Sequence, residues 1–281
     1  SPVLQCRILT EMNPSDLKRE VKTYWNAQSC GTGVASALKF SREYFDQIEE
    51  YRYRIEPEIF AFAQFTRYQG KRLLEVGIGA GTDFLQWVRA GTKAHGVDLT
   101  QEAVDHVKNR LEVYGVSAEE VRVADAEHLP YADDTFDVVY SWGVIHHSPN
   151  MEKALSELVR CVKPGGTIKL MVYHRHSLLV LYKWVRYALL RGKPFLSFAD
   201  VLYRHQESVG TKAYTVPEIK SLAASCGTDI EQIDVSVSPF YDLLSTRNVL
   251  ARFGAYAMAC LLGHQRCGWY MRVELRKKAS Q

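Results

Sequence analysis

Residues 73–83 read LLEVGIGAGTD, an apolar run that breaks into closely spaced glycines. Leu73, Leu74 and Val76 fit a buried parallel strand, Gly77, Gly79 and Gly81 a turn, and Phe84, Leu85 and Val88 the covered face of a helix. Residues without a Cβ let backbone and ligand approach closely, and the N–H groups that open the helix would point at the turn. This is the pattern of a nucleotide-handling strand-turn-helix unit. A dinucleotide fingerprint needs its third glycine three residues after the second, where this chain has Thr82, while Gly81 comes one residue earlier. Glu75, two residues before the first glycine, suits a cationic ligand better than a pyrophosphate.

Strand and helix signals alternate regularly beyond this unit. Residues 94–99 (AHGVDL) form a second strand ending on Asp98, 21 residues after Gly77, where an acid can accept both hydroxyls of a ribose. Thr100 is the better N-cap for the next helix, which leaves Asp98 for that task. A short strand at 121–123 leads to Asp125 and Ala126, placed to meet an adenine edge through a carboxylate and a backbone N–H. Residues 136–141 read as a central fourth strand, followed by Trp142 and the pair His146-His147. A helix over 151–162, a KPGG turn at 163–166 and a fifth strand over 167–173 follow.

The ordered set EVGIGAG, GVDL, DAEHLP, FDVVYSWGVIHH and KPGG resembles the class I S-adenosylmethionine-dependent methyltransferases over about residues 71–175. It is similar in particular to the branch of quinone-biosynthesis and other small-molecule enzymes. The resemblance implies an α/β, Rossmann-like fold: a seven-stranded sheet with helices on both faces and its last strand antiparallel. It also implies S-adenosyl-L-methionine as cofactor. Gly77, Gly79 and Gly81 would then line its methionine part with Glu75 near the cationic end. Asp98 with Leu99 would hold the ribose, Asp125 and Ala126 the adenine, and Ser141 and Trp142 would close the site.

The rest of the chain divides around that plan. Residues 1–70 read as a helical lid segment and 71–281 as the methyltransferase domain, with a helix at 215–225, strands at 230–237 and 268–275, and helical cap insertions at 177–210 and 240–263. Methyl transfer needs alignment and exclusion of water, plus a base if the acceptor carries a proton. His146 is the first candidate base and His147 the second, with Tyr24, Arg52 and Tyr173 as acceptor-binding candidates. A cofactor-binding sensor or an NAD-dependent oxidoreductase is the alternative reading.

Composition narrows the partners. A formal charge of +3 from 35 basic and 32 acidic side chains gives no reason to invoke nucleic acid, and 47% hydrophobic residues suffice for one large core. Six cysteines without a C-x-x-C pair, and no secretory leader before Cys6, suggest reduced thiols and a cytoplasmic location. No metal-ligand spacing occurs. The apolar, basic stretch from Leu178 to Lys193 reads as a core-facing cap helix with solvated charges, a peripheral membrane contact being the alternative.

Overall fold

The computed structural model describes residues 13–27, 31–226 and 230–279. Cys6 and Cys30 lie outside them; Cys161, Cys226, Cys260 and Cys267 are unpaired among the described residues. The described residues open with α1 (Pro14–Ala27), α2 (Arg42–Ile55) and the short α3 (Ile59–Ala63). Asn13 accepts a hydrogen bond from the Ser15 N–H at 3.2 Å, and Ser41 accepts from the Tyr44 N–H at 3.1 Å. Both helices therefore start where a short polar side chain can satisfy an orphan donor. The i, i+4 run through Tyr44, Ile48 and Ile55 is the buried face of α2.

The alternating portion runs β1 (Arg72–Val76), α4 (Thr82–Arg89), β2 (Lys93–Asp98), α5 (Gln101–Tyr114), β3 (Glu120–Val123), β4 (Phe136–Trp142), α6 (Met151–Cys161) and β5 (Val162–Tyr173). Two cap helices follow, α7 (Leu178–Tyr187) and α8 (Phe198–His205), then α9 (Val216–Ser225) and β6 (Ile230–Ser238). Three more helices, α10 (Phe240–Ser245), α11 (Val249–Leu262) and α12 (His264–Cys267), precede β7 (Tyr270–Lys277). The seven strands form one sheet in the order β3-β2-β1-β4-β5-β7-β6. All neighbours pair in parallel except β7, which runs antiparallel to both β5 and β6.

Alternate residues of the strands supply two cores. Leu73, Val138 and Tyr140 face the side covered by α4, α5 and the N-terminal helices, while Leu74, Val139 and Leu170 face α6 and α9. Burial on both faces explains the near-continuous apolar runs of β1 and β4. One expectation needs correction. KPGG is not a free turn before the fifth strand: β5 begins at Val162, opposite Phe136, and the pairing slips through a bulge to Thr167 opposite Val138. Gly165, at φ 74°, supplies the backbone conformation that the irregularity needs. The cap helix α7 faces the core through Val180, with Leu179 packed beside it, while Leu181 and Tyr182 are exposed.

Candidate active site

The site lies beyond the carboxyl ends of β1, β2 and β4, where the strand order reverses. A cavity of about 420 Å³ opens there. Its floor is the glycine turn: Gly77 at φ 83° and Gly79 at φ 49° adopt the left-handed backbone that a side chain disfavours. The three glycines have different work. A Cβ on Gly77 would overlap the Val144 side chain, and one on Gly81 would come within 2.7 Å of Val107 on α5, whereas one on Gly79 would meet only open space. Gly77 and Gly79 line the cavity; Gly81 instead lets α4 pack on α5.

Asp98 ties the floor to the end of β2. One oxygen accepts the Gly79 N–H at 3.1 Å, and the other accepts the Thr100 N–H at 3.0 Å and hydroxyl at 2.8 Å. Thr100 caps α5 as expected, accepting from the Ala103 N–H, but Asp98 is not idle: three bonds fix its carboxylate at the cavity wall beside Leu99. Beyond it, Asp125 and Ala126 line the same wall. Asp125 accepts Lys18 Nζ at 2.7 Å, and the same ammonium reaches Glu127 at 2.7 Å, so α1 is pinned across this end of the cavity. Burial pushes the Asp125 carboxyl up, but the Lys18 bond, the Glu127 N–H and the charges of Lys18 and His128 together outweigh it and hold the group below its ordinary value.

The opposite end is crowded with carboxylates. Arg52 holds Asp83 in a two-bond fork at 3.0 and 2.7 Å and lies 3.5 Å from Glu56. Tyr140 and Tyr53 also donate to Asp83, and Trp142 Nε1 and the Tyr270 hydroxyl donate to Glu56. Glu75 is left over. It is buried and lines the cavity, and its Oε2 accepts no hydrogen bond among the described residues. Burial, then the neighbouring charge of Asp83, pushes its carboxyl well above the ordinary value despite Arg52; Asp98 adds to the rise. An unpaired carboxyl among further acids is a place for a cation.

The two histidines separate sharply. His146, the first candidate base, is fully buried, is not on the cavity wall, and packs its ring 4.0 Å from that of Tyr173. Burial, then the neighbouring His147, pushes its pKa well below 6.5, so it is a neutral packing group. His147 lines the cavity. Its Nδ1 lies 3.0 Å from Ser208 Oγ and 3.1 Å from Thr211 Oγ1, and its Nε2 is 3.4 Å from Glu207. The Thr211 hydroxyl donates to the Ser208 carbonyl at 2.7 Å, while the Ser208 hydroxyl can donate to Nδ1 and the Glu207 carboxylate can accept from Nε2, so the roles of the two ring nitrogens follow the tautomer. Tyr173 donates to Glu207 at 2.9 Å. Burial raises the Glu207 carboxyl, but the facing His147 imidazole, the Tyr173 hydroxyl and Gln206 together outweigh that and keep it low.

Four other sequence candidates are placed as follows. Ser141 is fully buried and is not on the cavity wall; its hydroxyl has no partner among the described residues. Tyr24 lies on the exposed side of α1 and its neighbour Trp25 lines the cavity instead, with its ring 5.4 Å from that of His147. Arg52 and Tyr173 are both on the wall. Sequence reasoning missed Lys18, Glu56, Glu207 and Tyr241, all wall residues. The acid of the HQES stretch at 205–208 had no local feature to mark it.

Comparisons with known proteins bear on the domain and its fold. Residues 74–170 match the family described as "Methyltransferase domain". The chain is 37% identical over 99 residues, 34% of its length and 36% of the relative's, to the phthiotriol/phenolphthiotriol dimycocerosates methyltransferase of Mycobacterium tuberculosis. The match thus spans about a third of the curated relative's length. Among solved structures, a Haloferax volcanii putative methyltransferase, in complex with the activator Trm112, superposes with a TM-score of 0.59 at 17% identity over 93% of this chain and 98% of the other. Haemonchus contortus phosphoethanolamine N-methyltransferase 2, solved with S-adenosyl-L-methionine, gives 0.57 at 18% identity over 87% of this chain and 61% of the other. Five sequence segments in register, the reversed strand order and the matched residues 74–170 all describe one thing: the chain carries a class I S-adenosylmethionine-dependent methyltransferase domain.

Proposed function

We propose that the protein transfers a methyl group from S-adenosyl-L-methionine to a small-molecule acceptor. The observation that carries this reading is Glu75, a buried carboxyl at the cavity wall whose Oε2 accepts no hydrogen bond among the described residues, with Asp83 and Asp98 among the acids acting on it. A dinucleotide's pyrophosphate would be repelled there, whereas an ammonium and a sulfonium would be held. The relatives reported above are named methyltransferases, and nothing in them favours the NAD-dependent alternative.

In this reading Glu75 and the floor at Gly77 and Gly79 take the methionine end, Asp98 the ribose, and Asp125 with Ala126 the adenine. When bound, the cofactor supplies an electrophilic methyl group; no residue of the chain needs to act as a nucleophile. The protein's part is alignment and exclusion of water. Trp25, Tyr51, Tyr241 and Tyr270 give the acceptor end aromatic walls. His147, on the cavity wall, takes a proton from the acceptor, and the Glu207 carboxylate 3.4 Å from its ring stabilises the imidazolium. His146 keeps the Tyr173 ring in place.

The test is incubation of the purified protein with methyl-labelled S-adenosylmethionine and a cell extract. Label recovered in the small-molecule fraction, and lost with His147→Ala, supports the proposal. Label only in macromolecules, or none at all, contradicts it.

A further inference from the structure

The helix α11 is exposed around most of its circumference yet almost wholly apolar. Val249, Leu250, Phe253 and Leu261 are 71, 82, 72 and 80% exposed, Tyr256 and Met258 are also open, and Ala259 alone is buried. In helical projection these side chains, with Leu262, cover more than half of the circumference. Such a helix belongs in an apolar medium rather than in water. At 14 residues it is too short to cross a bilayer.

A second apolar projection stands at the end of the other cap. Leu190 is 77% and Phe195 98% exposed. Both projections are basic: no acidic residue occurs between Glu157 and Asp200 or between Asp242 and Glu274, while Arg186, Arg191 and Lys193 attend the first, and Arg247, Arg252 and Arg266 the second. Both also spring from the rim of the cavity, since Tyr241 of α10 and Glu207 just after α8 line it.

We infer that the two cap projections dock the protein on an anionic phospholipid surface, with α11 lying in the interface. A protein groove covers one face of a helix, whereas acyl chains and headgroups can surround one that is apolar over most of its girth. The flanking arginines complement anionic headgroups and would oppose an equally basic second copy of this chain. That the acceptor is reached from the lipid phase follows only if the proposed methyl transfer holds; the docking itself does not depend on it.

The experiment is co-sedimentation of the full chain with phosphatidylglycerol-rich vesicles and with pure phosphatidylcholine vesicles, without cofactor, at low and high salt. Binding to the anionic vesicles is expected, weaker on phosphatidylcholine and at high salt. It should be lost with Phe253→Asp/Leu261→Asp, and reduced about thirtyfold with Arg247→Gln/Arg252→Gln. Those side chains are exposed, so circular dichroism and S-adenosylmethionine affinity should be unchanged, which separates this test from that of the active site. Absence of vesicle binding overturns the inference, as does binding indifferent to the substitutions. A dimer in ultracentrifugation that Phe253→Asp/Leu261→Asp dissociates, without vesicle binding by either form, would make α11 a self-association face and likewise overturn it.

Discussion

Arg52 of α2 and Asp83 of α4 are joined by a fork of two hydrogen bonds, 3.0 and 2.7 Å long, that fastens an N-terminal helix to the helix following the glycine turn. The Asp83 side chain is 2% exposed and that of Glu56, which Arg52 also faces, 9%. Removing the guanidinium strands buried negative charge. Arg52→Ala should therefore cost about 3–5 kcal/mol in urea unfolding, the range for breaking one side of a buried pair. Arg52→Lys should recover only part, because an ammonium cannot make the fork.

The two histidines should respond in opposite ways. His147→Ala should lower turnover by about 10² to 10⁴ while leaving S-adenosylmethionine affinity within a small factor, if proton transfer is part of the reaction. His146→Ala should mainly lower stability, since its ring packs against Tyr173 and His147 and lies off the cavity wall. Turnover and unfolding curves measured on both variants separate the roles.

The glycines of the turn are not equivalent either. Gly77→Ala should be strongly destabilising, because the methyl group overlaps Val144 and φ is 83°, and Val144→Ala should relieve part of the loss. Gly79→Ala has only backbone strain to overcome, about 1–2 kcal/mol, but it places a methyl group in the cavity. Thermal melts should separate the two, with the Gly79 variant folded and impaired in cofactor binding.

His106 provides a pH dependence unrelated to the site. It is fully buried among Phe40, Tyr44 and Phe45, with no hydrogen-bond partner among the described residues. Burial, with Lys39 and Arg110 adding, lowers its pKa from 6.5 to about 4. The unfolded chain binds the proton first as pH falls, so stability is full above about pH 6.5 and is lost on the way down towards pH 4. The loss should reach about 2 kcal/mol near pH 5, and His106→Phe should remove that part of the slope.

What the sequence made legible is what one short segment encodes. The strand into the glycine turn, the acid ending β2 and the apolar β4 each carry their pattern within ten residues, and each stands where that pattern put it. Groups assembled by the fold were not legible. Glu207 meets His147 from 60 positions away, and Lys18 meets Asp125 from 107. Gly81 and Ser141 lie at motif positions yet off the cavity wall, Gly81 against Val107 and Ser141 fully buried.

The most direct measurement is calorimetric titration of S-adenosylmethionine into the protein and into Asp98→Ala. Saturable one-to-one binding is predicted, at least about tenfold weaker in the variant through loss of a charged hydrogen-bond acceptor, with NAD giving no comparable heat. Cofactor binding that is absent, unaffected by Asp98→Ala, or weaker than that of NAD would contradict the account.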